Sequence, residues 1–124
     1  MIFRTFVFLA ALTTAASAHV QLITITMSNY AFDPNRIELL ADSDYELHFV
    51  NSSNKSHDFS APELFDAGTV APDDQAKVED GKVEVEAGGT VDVRFMPKKK
   101  GSYPVHCTHF LHATFGMTGT AVVE

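Results

Sequence analysis

The sequence predicts an all-β sandwich. Two observations carry this: short runs of alternating polarity rich in β-branched and aromatic residues, and Gly, Pro, Asn and Asp clusters between them at short intervals. Gln21 to Met27 alternates polar with apolar residues and reads as the first strand. Tyr30 to Asn35 breaks it with turn residues, and Arg36–Leu40 and Tyr45–Val50 follow as strands around the turn at residues 41–44. Residues 51–56 read as a polar loop that delivers His57 and Phe59 at its end.

The least regular stretch is 61–80, where Pro62 to Phe65 suits the first turn of a short helix and Pro72-Asp73-Asp74 suits a turn. Lys82–Glu86 and Thr90–Phe95 are strands around Ala87-Gly88-Gly89, a hairpin signal. Lys98 to Gly101 reads as a solvated basic loop tip. Ser102–His106 and Thr118–Val123 are the closing strands.

Residues 1–18 are not expected to belong to this fold. Arg4 precedes an apolar run from Phe6 to Leu12, and Ala16-Ser17-Ala18 has the small-x-small form of a cleavage site. This is the layout of a secretory signal peptide, and the run is too short to span a bilayer. One domain is expected over residues 19–124, soluble and periplasmic or secreted, with no lipid anchor because His19 rather than a cysteine follows the cleavage site. The chain carries 9 basic and 16 acidic residues, a formal charge of −7, and losing Arg4 makes it one unit more acidic. That balance argues against nucleic acid or an anionic membrane as partner and favours basic ones.

An exported chain with a single cysteine is unusual, because that compartment favours disulfides. Cys107 could pair between chains, act as a nucleophile or bind metal. Only the last also uses its neighbours. His112 lies five residues on and Met117 five further, and His57 lies upstream. A thiolate, two imidazoles and a thioether compose the trigonal His₂Cys site with a weak axial Met that suits copper. A loop between the last two strands would bring Cys107, His112 and Met117 to one pole of the sandwich, with His57 arriving from another loop. Phe59, Phe110, Leu111, Phe115 and Met117 are expected as an apolar wall. Asn51 is placed to tie the ligand loops together or to serve as a turn residue.

The sequence here resembles the cupredoxins, small blue-copper proteins. The resemblance runs through Asn29-Tyr30-Ala31-Phe32-Asp33-Pro34, residues 51–57, Gly101 to Cys107 and Gly116 to Val123. It implies a Greek-key β-sandwich of seven or eight strands and one type 1 copper ion held by His57, Cys107, His112 and Met117. His109 departs from the common pattern, and His112 is favoured over it because it lies centrally between Cys107 and Met117. Thr108 stands where the multicopper oxidase motif has a second histidine. Six histidines in one domain cannot build a trinuclear centre, so no self-contained oxidase is expected.

Among the remaining histidines, His48 reads as a surface or satisfied polar residue, and His106 should face the sheet side opposite Cys107. His19, if exposed by cleavage, would offer an amino group and an imidazole, but no third partner is identified. The expected function is that of a one-electron carrier rather than an enzyme. It would act as a monomer, not membrane-embedded, with a redox partner such as a c-type cytochrome. The alternative is copper homeostasis or delivery, motivated by His19, His106 and His109.

Overall fold

Among the described residues, ten strands build two five-stranded sheets. The structure is a computed structural model describing Ala10 and residues 19–124. Apart from Ala10, the expected signal peptide lies outside the described residues. Among the described residues no helix is long and apolar enough to cross a membrane.

In chain order the strands are β1 (Gln21–Ser28), β2 (Ala31–Asp33), β3 (Arg36–Leu39), β4 (Tyr45–Asn51), β5 (His57–Ser60), β6 (Gly68–Val70), β7 (Lys82–Val85), β8 (Thr90–Pro97), β9 (Gly101–His106) and β10 (Thr118–Val123). A short helix α1 (Pro62–Asp66) and a 3₁₀ segment (Pro72–Lys77) lie between β5 and β7. One sheet has the order β2-β1-β4-β8-β6 and the other β3-β10-β9-β5-β7. The pairs β1·β4 and β3·β10 are parallel and the rest antiparallel. Eight strands match the expected number, and the three-residue β2 and β6 bring the total to ten.

Two expectations change. The stretch expected only as a turn around Phe32 contains β2, which folds back on β1 with Met27 opposite Phe32. The Gly88-Gly89 turn joins no hairpin: β7 pairs with β5 in one sheet and β8 with β4 in the other. Gly88, at φ +71°, turns the chain across the sandwich rather than back along it.

Period-two alternation packs the core. Ile25, Met27, Leu47, Phe49, Val93 and Phe95 from one sheet meet Leu39, Phe59, Val83, Val85, Val105 and Ala121 from the other, all buried. Burying one large apolar side chain stabilises by about 1.5–3 kcal/mol, against a net domain stability of about 5–15 kcal/mol. Loops seated on these strand ends therefore inherit a fixed frame.

Candidate metal centre

Each side chain reaches the site by strand register. On β9, Tyr103 and Val105 point inward and are buried, and the alternation continues to Cys107, which is 1% exposed. His106 falls on the opposite, exposed face, as expected. His57 and Phe59 share the inner face of β5; the loop ends at Ser56 as expected, and His57 opens a strand. Phe59 packs against Phe32, Phe49 and Phe65. His57, one step along that face, is completely buried.

The segment from Cys107 to Met117 closes on itself. The N–H of Cys107 donates to the carbonyl of Met117 at 3.1 Å, and that of Met117 to the carbonyl of His112 at 3.0 Å. Further turns bond His112 N–H to His109 O and Phe115 N–H to Leu111 O. Leu111 and Gly116 hold positive φ, +66° and +106°, which lets so short a segment reverse twice.

These elements bring His57, Cys107 and His112 together, with their ligand atoms within 4.8 Å of one another. Sγ of Cys107 lies 3.4 Å from Nδ1 of His112 and 3.9 Å from Nδ1 of His57, and the two Nδ1 atoms face each other at 3.1 Å. The backbone N–H of Asp58 points at the sulfur at 3.5 Å. Met117 is fully buried at the end of the same loop. His109 is not in this group. Its Nε2 lies 2.9 and 3.0 Å from the two oxygens of Glu84, and with Asp58 these form a separate cluster beside the first. Its ring stacks on that of His112 at 5.4 Å. His48 meets Asp92 on a half-exposed face, and His19 joins neither cluster.

Burial lowers the pKa of His57, helped by the neighbouring His112 and His109, and burial also lowers that of His112. Burial raises that of the Cys107 thiol. At neutral pH the imidazoles are uncharged and offer lone pairs, while the thiol keeps its proton until a metal displaces it. Two borderline nitrogens and one soft sulfur, with no carboxylate among them, fit copper and disfavour hard cations such as Mg²⁺ or Ca²⁺.

The expected apolar wall is only partly present. Phe59 and Met117 are buried, but Phe110, Leu111 and Phe115 are 88, 44 and 58% exposed and form an outer rim. Tyr30 takes the inner place: its ring lies 4.8 Å from His112, 5.1 Å from Phe115 and edge-on to His57. Asn51 does not tie the ligand loops. Its amide bonds Lys55 O, Val85 O and Ser53, holding its own loop and β7. Asp58 makes the tie to the second ligand loop, through Thr108. Asn29, which the sequence shows only as the start of a matching motif with no role of its own, has its side-chain oxygen 2.9 Å from Nε2 of His57. Its one signal was a polar residue in the turn after β1, just before Tyr30.

The sequence matches the cupredoxin-like domain family over residues 1–123. The chain belongs to that family. Among solved structures, this cupredoxin-like chain is similar to auracyanin B (TM-score 0.64, 21% identity, covering 89% of this chain and 93% of that one). It is similar also to dithionite-reduced auracyanin from the photosynthetic bacterium Roseiflexus castenholzii (TM-score 0.63, 20% identity, covering 87 and 99%). A multicopper oxidase from Campylobacter jejuni matches over 90% of this chain but 31% of its own (TM-score 0.63, 13% identity). At these identities the likeness concerns the fold. Comparison with curated proteins finds no match.

Proposed function

We propose that the chain is an exported blue copper protein that holds one copper ion through His57, Cys107 and His112, with Met117 as the axial ligand, and carries one electron at a time. The observation that carries this reading is the buried convergence of one thiol and two imidazoles within 4.8 Å at one pole of a cupredoxin-like sandwich. Copper bound there would supply a one-electron couple. The chain's own contribution is rigidity: the three donors sit on strand ends and on a loop closed by its own hydrogen bonds, so little need move when the charge changes.

His112, at 9% exposure, is the ligand nearest solvent, and the rim of Phe110, Leu111 and Phe115 surrounds that pole. An apolar rim on an acidic chain suits brief docking of a basic redox protein such as a c-type cytochrome, with the acidic surface steering the approach. No substrate bond is made or broken in this reading, and the chain is not an enzyme. A second reading, copper sequestration or delivery, draws on the adjacent Asp58–Glu84–His109 cluster as a place for further metal.

A visible and EPR spectrum of the purified protein with one equivalent of copper(II) tests the first reading. An intense thiolate-to-copper band in the red is expected, and its absence rejects the blue site. Reversible voltammetry at one copper per chain supports the carrier, whereas a second equivalent bound, or copper passed readily to an apo-acceptor, supports handling.

A further inference from the structure

Asn29 lies in the turn joining β1 to β2. Its carboxamide oxygen is 2.9 Å from Nε2 of His57, and its amide nitrogen donates to Oδ1 of Asn54 at 3.0 Å. With its amide nitrogen on Asn54, the carboxamide turns its oxygen toward the imidazole. A carboxamide oxygen only accepts, so Nε2 of His57 carries a proton. In a neutral imidazole that leaves the lone pair on Nδ1, the atom 3.9 Å from Sγ of Cys107. The other tautomer would set two acceptors against each other at Asn29 and aim a proton into the cluster.

We propose that Asn29 is a positioning residue for the metal centre: it holds His57 as the Nε2–H tautomer and fixes the ring plane, so that Nδ1 is presented before metal arrives. His57 is fully buried, which leaves no bulk water to replace this acceptor. The adjacent Tyr30, with its ring against His112, makes the β1–β2 turn a third wall of the site beside the loops carrying the ligands. The consequence for affinity rests on the copper reading, whereas the tautomer does not.

Long-range ¹H–¹⁵N correlation spectra of the metal-free protein, taken about 1.5 units above the ordinary histidine titration near 6.5, read the tautomer directly. Wild-type His57 is expected as Nε2–H. Asn29→Asp keeps an acceptor and should keep that form. Asn29→Leu should mix the tautomers and weaken copper binding, measured by competition with a chelator, by about 10–100-fold. Wild-type His57 found as Nδ1–H overturns the proposal without any variant. Asn29→Leu with the wild-type tautomer and wild-type affinity overturns it as well. A wild type that shows the Nε2–H form but no thiolate-to-copper band refutes the copper reading and leaves the role of Asn29 supported.

Discussion

The carboxylate of Asp58 accepts both the backbone N–H of Thr108, at 2.8 Å, and the hydroxyl of the same residue. It thereby fastens the residue after His57 to the residue after Cys107. Asp58 is 2% exposed, while Thr108 meets it from the exposed side. One side chain thus sets the distance between two candidate ligands that are fifty positions apart in the chain.

Removing that carboxylate takes from the exposed Thr108 a charged acceptor that water replaces only in part. Asp58→Ala should destabilise the metal-free fold by about 1–3 kcal/mol. Thr108→Val loses only the hydroxyl bond and keeps the backbone one, so its loss should be smaller. Urea midpoints of the two variants check the order; equal midpoints would mean that the backbone bond contributes nothing.

The geometry separates two histidines that lie three residues apart. His112 faces Cys107, whereas His109 faces Glu84. His112→Ala should abolish the thiolate-to-copper band, and His109→Ala should retain it. His109→Ala should also cost about 0.2–1 kcal/mol, because its partner Glu84 is half exposed and such pairs are weak. Bleaching by His109→Ala alone would reverse the assignment.

Much of this was legible where the signal is local. Period-two patterning located the longer strands, and Cys107, His112 and Met117 read as one unit because a single short loop carries all three. What failed was pairing at a distance. A Gly-Gly turn between two strands looks alike whether they share a sheet or lie in opposite ones, so β7 and β8 were misjoined. The three-residue β2 and β6 are too short to show alternation and exist because a long neighbouring strand offers unpaired backbone groups. Asn29 and Asp58 act through partners 28 and 50 positions away, and no spacing rule reaches so far. Asn51, by contrast, bonds mostly within its own turn, the bland alternative for an Asn before a polar loop.

Asp74 gives a pH test independent of the metal. Its carboxylate takes a bond from Lys77 Nζ at 2.8 Å and from the backbone N–H of Arg94 at 2.8 Å, and these hold it below the usual aspartate range, the Lys77 bond most. The folded state therefore prefers the ionised form more than the unfolded chain does. That contribution is complete above the unfolded value of about 3.9 and is lost as pH falls through the lower folded value. Asp74→Asn should be less stable than wild type at neutral pH, with the gap narrowing on acidification. A urea-midpoint difference that stays constant into the acid range would place the stabilisation elsewhere.

Met117 is fully buried one residue before β10, and its backbone bonds to both Cys107 and His112. Because those bonds are main-chain, changing the side chain leaves the loop closed. Met117→Leu conserves volume and should cost less than about 1.5 kcal/mol. If the thioether serves as the weak axial ligand, replacing it by a side chain that donates nothing removes electron donation that the oxidised ion needs more than the reduced one, so the reduction potential should rise and the EPR splitting change while the thiolate-to-copper band persists. Voltammetry on the variant decides the matter. An unchanged potential with an intact fold would assign Met117 to the core alone and leave the site three-coordinate.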